Sequence, residues 1–229
     1  FIKIEVSELP ELEQYMLHKI SVLNENFHKN FDNYTFHNLY KELLNFCAVD
    51  LSAFYFDIRK DTLYCDNLNS VKRKSCVMIL NVLLNALLRW FAPILSFTSE
   101  EIYQLISKEN KSIHLEKFLS VPENFNDDHI LKKWNELIKI REVCNISIEE
   151  KRAAKEIGSS LEAELKLNLN SKYKKILTNI DLSELCIVSK AEISFDEKSD
   201  IFVKTNKASG DKCPVCWKIS VEPCARHPK

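Results

Sequence analysis

Two glycines, Gly158 and Gly210, are all that this chain of 229 residues carries. That scarcity limits the fold more than any other feature. A glycine-rich phosphate loop cannot be built, and neither can a dinucleotide fingerprint, because both need glycines where backbone meets phosphate. Most nucleotide-hydrolysing folds are excluded with them. What remains is a chain whose apolar residues recur at helical spacing.

Leu12, Tyr15, Met16, Ile20, Leu23 and Phe27 share one face of a helix over 11–27. Residues 35–58 repeat the pattern with Phe36, Leu39, Leu43, Cys47, Phe54 and Ile58, and "KDTLYCDN" reads as a helix exit and loop. A third helix covers 70–91, with Ser70 as its N-cap. Within it begins "CVMILNVLLNALLRWFAPILSF", 76–97, a stretch apolar enough to be mistaken for a membrane span. Asn81, Asn85 and Arg89 build one polar stripe at four-residue spacing, and Pro93 breaks the pattern, so a packed helix of a soluble protein is expected. In "SFTSEEIYQLI", Thr98 or Ser99 caps a fourth helix, and Glu100 and Glu101 suit its positive end. Four amphipathic helices with short links predict a mainly α fold, an antiparallel helical bundle over 1–120.

A connector and a long helix follow over 121–157. The connector holds Pro122 and a run of Asn and Asp. The helix runs from about His129 to Glu156, with Trp134, Leu137, Ile138, Cys144 and Ile148 on its buried face and Gly158 as its left-handed end. The texture then changes to a small α/β domain over 158–209. "SLEAELKLNL" alternates at period two as a half-buried strand does. "SKYKKILTNI" reads as a short helix, and "ELCIVSK", "AEISF" and "DIFVKT" as short strands. The last segment, 210–229, is of another kind.

That tail holds "CPVCWKISVEPCARHPK". Cys213 and Cys216 form a C-x-x-C pair, and Cys224 and His227 a C-x-x-H pair. Each pair lets two ligands grip one ion from a tight turn, and zinc prefers four sulfur or nitrogen ligands in a tetrahedron. Pro214, Pro223 and Pro228 stiffen the turns. One structural zinc ion is expected, since no general base lies nearby and closed four-ligand sites are structural. The blander reading keeps only the first pair, as a free or redox dithiol. The other cysteines, Cys47, Cys65, Cys76, Cys144 and Cys186, are scattered and read as small hydrophobes in a reducing cytoplasm.

The net charge of −1 makes the chain no general polyanion binder. Residues 201–229 nevertheless carry a local net of +4. RNA affinity comes from cations on phosphates, and specificity from bases stacked on aromatic or guanidinium planes. Lys72, Arg73 and Lys74 are candidate phosphate contacts, or else a solvated first turn. Lys151, Arg152 and Lys155 form a second cluster, where cations also suit a helix C-terminus. Arg141, in register with the apolar stripe, is a buried ion-pair partner or a base reader. Trp217 stacks an unpaired base or covers the metal site. The carboxylate pairs Glu100–Glu101 and Glu149–Glu150 read as solvated helix faces.

"FCAVDLSAFYFDIRKDTLY", "RWFAPILSFTSEEIY", "KRAAKEIGSSLEAEL" and "KCPVCW", in that order, resemble the C-terminal part of bacterial isoleucyl-tRNA synthetases. "APILSFTSEEIY" alone marks the wider group that charges branched aliphatic amino acids and methionine; "IGSSLEA" with the Cys-x-x-Cys-Trp tail narrows it. The resemblance covers nearly the whole chain. It implies an anticodon-binding bundle from about Leu9 to Leu119, then a junction and a zinc module that holds the anticodon end of the tRNA. It implies no catalytic residue here, since the adenylate-forming and editing domains would lie upstream. Phe1 rather than Met opens the chain, in keeping with a piece of a longer ligase. Members usually end in two Cys-x-x-Cys pairs with a longer spacer. Either His227 replaces a cysteine, or the fourth ligand lies past Lys229. A cytoplasmic monomer that binds isoleucine tRNA and no membrane is expected. The rivals are a zinc-stabilised protein-interaction module without an RNA role, and a small hydrolase or redox enzyme using Cys213.

Overall fold

A computed structural model describes residues 5–107, 111–197 and 200–227. It is mainly helical with a small sheet region, and it divides into two units: residues 1–63 with 67–131, and residues 64–66 with 132–229.

In the first unit, α1 (Glu11–Asp32) buries Leu12, Tyr15, Met16, Ile20, Leu23 and Phe27, the face expected from their spacing. Tyr34, at φ 57, turns the chain into α2 (Phe36–Asn45). There the α-period stops. Phe46–Phe56 forms a π-helical run, and α3 (Asp57–Cys65) continues from it. The wider turn has a visible cause. Buried Leu39, Leu43 and Phe46 keep α spacing, but the next buried residue, Leu51, comes five positions on. Hydrogen bonds at i→i+5 carry that step and return Leu51, Phe54, Tyr55 and Ile58 to the core. Phe36, expected on the buried face, is 40% exposed. "KDTLYCDN" is helical as far as Cys65 rather than a loop.

Helix α4 (Val71–Phe91) starts where expected, with Ser70 Oγ accepting the Arg73 N–H. By length and composition it could cross a membrane. Its polar stripe is engaged within the fold: Asn81 and Asn85 donate to the carbonyls four residues back, and Arg89 reaches Asn85, the Lys117 carbonyl and Glu116. Trp90, fully buried, donates from Nε1 to Asn24 Oδ1 at 3.0 Å. Helix α5 (Ser96–Ile106) starts before Thr98 and Ser99, with Leu95 at its cap. The turn after Pro93 is already closed by Ile94 and Leu95 N–H groups on the Phe91 carbonyl, so the helix needs no later cap. One buried ion pair ties the unit: Arg59 grips Glu13 with Nε at 2.7 Å and Nη2 at 2.6 Å, and Tyr55 Oη donates to the same carboxylate at 3.2 Å.

Helix α6 (Asp128–Ala153) begins in the first unit and runs through the second. It buries Trp134, Leu137, Ile140, Cys144 and Ile148, while Ile138 is only half-buried. Gly158 does not end it. Lys155 does, at φ 57, with its N–H on the Arg152 carbonyl and the Glu156 N–H on the Lys151 carbonyl. This pair of bonds is the Schellman arrangement, which satisfies the last carbonyls.

Strand β1 (Ala163–Asn170) buries every second residue, as its alternation predicts. "ELCIVSK" contributes the end of a one-turn helix, α7 (Leu182–Leu185), capped by Asp181, instead of a strand. "SKYKKILTNI" opens as a 3₁₀ turn and continues in turns. These pieces form the crossover to β2 (Lys190–Asp196), which pairs parallel to β1. Strand β3 (Ile201–Lys207) pairs antiparallel on the other side, giving the order β2-β1-β3. Helix α6 is tied to this layer by Ser147 Oγ to Thr205 Oγ1 at 2.7 Å and by Arg141 Nε to the Leu185 carbonyl at 2.9 Å. A two-stranded ribbon, β4 (Asp211–Lys212) and β5 (Ile219–Ser220), closes the chain.

Candidate metal centre and nucleic-acid interface

The ribbon aims the tail's ligands. Gly210 enters it at φ 118, and a Cβ there would lie 2.1 Å from the Ser220 carbonyl oxygen, so only glycine fits. The Cys213 N–H donates to the Lys218 carbonyl at 2.9 Å, and the Trp217 N–H to the Cys213 carbonyl at 3.0 Å. This tight turn swings Cys213 and Cys216 to one side. The second pair is turned by the His227 N–H on the Cys224 carbonyl at 3.1 Å.

The structure brings Cys213, Cys216, Cys224 and His227 together, with all four ligand atoms within 4.8 Å of one another. Cys216 and Cys224 sulfurs are 3.8 Å apart. His227 Nδ1 lies 3.6 Å from Cys213 Sγ and 3.4 Å from Cys224 Sγ. A tetrahedron with metal–sulfur bonds of about 2.3 Å and a metal–nitrogen bond of about 2.0 Å has edges of roughly 3.8 Å and 3.5 Å. The residues therefore fit one tetrahedral ion of zinc type, and the three-sulfur, one-nitrogen donor set is soft enough to select it.

The electrostatics favour thiolates at Cys213 and Cys224 but not at Cys216. Backbone N–H groups of Cys216 and Val215 donate to the Cys213 sulfur and hold its thiol down to about 6. Burial opposes ionisation of Cys224, but N–H groups of Arg226 and His227 outweigh it and lower that thiol too. Burial pushes the Cys216 thiol up to about 11. Sequence reasoning did not find the supports behind these ligands. His227 Nε2 is 2.8 Å from the Cys65 carbonyl, which fixes Nδ1 as the atom facing the sulfurs. Arg226 pairs with Asp66 at 2.8 Å. Both partners come from the end of α3, more than 150 residues away in sequence, and no local pattern announces them.

The other candidates lie on separate elements of the chain. Trp217 is 58% exposed, at φ 63, with Lys212 Nζ 5.3 Å from its ring centre. Lys151 pairs with Glu156 at 2.8 Å and Arg152 with Glu149 at 2.6 Å, while Lys155 is exposed at the helix end. Arg141 is half-buried with Nε on the Leu185 carbonyl, a link between α6 and α7. Lys72, Arg73 and Lys74 are half-buried on the first turn of α4, where Arg73 Nε also holds the Leu63 carbonyl at 3.1 Å. Pro228 and Lys229 lie outside the described residues.

The model of the anticodon-binding domain of tRNA ligases matches residues 13–167, most of the chain. The chain belongs to that family. Its similarity to individual proteins extends further, through the cysteine-rich tail. It is 60% identical over 224 residues to an isoleucine–tRNA ligase of Pelagibacter ubique, covering 98% of this chain and 25% of that protein. It is 39% identical over 226 residues to the isoleucine–tRNA ligase of Brachyspira hyodysenteriae, covering 94% and 24%. With that of Bartonella quintana the identity is 37% over 229 residues, covering 95% and 24%. The chain thus spans about a quarter of the length of the curated relatives it matches.

Proposed function

We propose that this chain is the tRNA-recognising C-terminal portion of a cytoplasmic isoleucine–tRNA ligase. It binds the anticodon stem-loop, while upstream catalytic and editing domains of the same protein attach isoleucine using ATP. The observation that carries this reading is the anticodon-binding family match, joined to identity with isoleucine–tRNA ligases along nearly the whole chain. In this reading residues 1–120 are the antiparallel anticodon-binding bundle, 121–157 a connector and long helix, 158–209 a junction and 210–229 a zinc module.

Cys213, Cys216, Cys224 and His227 would hold one zinc ion, which supplies structural cross-linking and no reaction chemistry. His227 takes the place of a fourth cysteine, and the tetrahedral spacing of the set supports it as ligand. The turn these residues close presents Trp217 to solvent, where its indole can stack an unpaired base. Lys151, Arg152, Lys155, Lys72, Arg73 and Lys74 supply phosphate contacts. The pairing of Lys151 and Arg152 with glutamates reduces their share. Arg141 reads bases least readily, because its Nε is already engaged.

A binding assay with isoleucine tRNA and an unrelated tRNA over a salt series tests the reading. Preference for isoleucine tRNA, weakening as salt rises, is expected. Absence of binding, or equal binding of both RNAs at every salt concentration, overturns it in favour of a protein-interaction module.

A further inference from the structure

The sulfurs of the tail are not equally sheltered. A cleft of about 360 Å³ runs beside them, lined by Cys213, Cys224 and His227 together with Pro214, Val221 and Pro223. Cys216 is not among its lining residues and is only 5% exposed. Cys213 is buried nearly as deeply, whereas Cys224 is half-buried. Cys224 therefore offers the most reachable sulfur of the set. The covered Cys216 sulfur lies 3.8 Å from it, already at contact distance.

The chemistry of such a pair is specific. A cysteine that ligates a metal is a thiolate, and the thiolate is the form that attacks an oxidant. The cleft is far larger than the roughly 30 Å³ that a water molecule occupies, so hydrogen peroxide, with two oxygens, can enter it. Redox-sensor cysteines have this layout: one accessible thiolate, poised next to a resolving one. Two short turns carry the pair, one closed by the Trp217 N–H on the Cys213 carbonyl and the other by the His227 N–H on the Cys224 carbonyl. The strands between them have two residues each, so little sheet structure resists a closer approach of the sulfurs.

We propose that the tail is a peroxide-sensitive metal clasp, in which Cys224 is oxidised first and Cys216 resolves it into a disulfide. The inference rests on the zinc reading above. In the first step the Cys224 thiolate attacks one oxygen of hydrogen peroxide. The O–O bond breaks, a sulfenic acid forms and hydroxide leaves. In the second step the Cys216 thiolate attacks the Cys224 sulfur, the S–S bond forms and a second hydroxide leaves. Two thiolates have then given up two electrons, and one peroxide has taken them. The sulfurs close from 3.8 Å to about 2.05 Å. A disulfide offers no thiolate ligand, so Cys213 and His227 remain as two donors where a tetrahedral ion needs four, and they release it. A dithiol reductant reverses the step by exchange and restores the set. The test uses the 229-residue chain, with its zinc content measured first and the freed ion then read by a chromogenic chelator. About one zinc should appear for each peroxide consumed, since one ion is held per chain. Peptide mapping should find the Cys216–Cys224 disulfide, and dimedone, which traps sulfenic acids, should label Cys224 before Cys213. Dithiothreitol with added zinc should reload the chain. Cys224→His keeps four zinc-type donors and should hold its ion under the same dose of peroxide. Zinc retained by wild type through several equivalents of peroxide overturns the inference and leaves the metal reading intact. So does a disulfide at any other pair, or equally fast release from Cys224→His. A chain that purifies without zinc overturns both.

Discussion

Trp217 is an aromatic residue in left-handed backbone, and it is mostly exposed. A non-glycine residue in that region costs roughly 1–3 kcal/mol and persists only when its surroundings dictate it. Here they do: its own N–H closes the turn on the Cys213 carbonyl, and the next residue's carbonyl receives the Cys213 N–H. The strain holds the indole outward beside the metal ligands instead of letting it fold inward. Base–aromatic stacking is worth roughly 1–3 kcal/mol. Trp217→Ala should therefore weaken isoleucine tRNA binding about five- to 150-fold, with equal zinc occupancy in both proteins. Equal affinity of the two would make Trp217 a structural cover for the metal site.

Among the elements, helix ends and the buried ion pair make the sharpest predictions. Lys155 holds the left-handed position that ends α6, a place where glycine carries no steric penalty. Lys155→Gly should stabilise the chain by about 1 kcal/mol, read as a higher urea midpoint. Gly158→Ala should be nearly neutral, since its added Cβ would meet only the Glu162 carboxylate at 3.4 Å. A fall in midpoint for Lys155→Gly would contradict the assigned cap. In α1 and α3, Glu13 and Arg59 are 0% and 3% exposed. Glu13→Ala takes the carboxylate away from a buried guanidinium and should cost about 3–5 kcal/mol, whereas Glu13→Leu with Arg59→Met should cost far less. Equal losses in the single and double variants would rule out charge burial as the cause. These cases also show what the sequence could disclose. The faces of α1 and α4, the Ser70 cap and the alternation of β1 were legible, because periodicity and capping are local. The π-helical run was not, since it arises from where Leu51 must reach. The end of α6 was misread because glycine is the commoner left-handed residue, yet two backbone bonds hold Lys155 there. At the candidate site, the ligand spacing was plain in the last seventeen residues, but Cys65 and Asp66 were invisible as its supports.

On the scale of the whole chain, the question is how far stability depends on metal. The first unit buries Met16, Ile20, Phe27, Leu39, Leu43, Ile79 and Trp90 without using any of the four ligands. Each such side chain contributes roughly 1.5–3 kcal/mol through burial. The ribbon of β4 and β5 has only two residues per strand, and a two-stranded hairpin of that size is marginal by itself. Bonds such as the Ile219 N–H to Ser189 Oγ tie it down, and an ion held by the four ligands would add most of its order, since structural zinc sites of this kind supply about 10–16 kcal/mol of binding energy to the segments they close. The purified chain should thus carry about one zinc per molecule by metal analysis. Chelation should leave most of the helical circular dichroism in place. It should also alter Trp217 fluorescence, because that indole follows Cys216 directly, and free the three thiols of the site to react. The His227 contact with the Cys65 carbonyl should be lost at the same time, making the end of α3 more open to hydrogen exchange. Loss of the helical signal along with the metal would mean that the α1–α5 core cannot stand without the tail. A purified chain free of zinc, with its thiols already reactive, would mean that the four ligand atoms converge without binding anything.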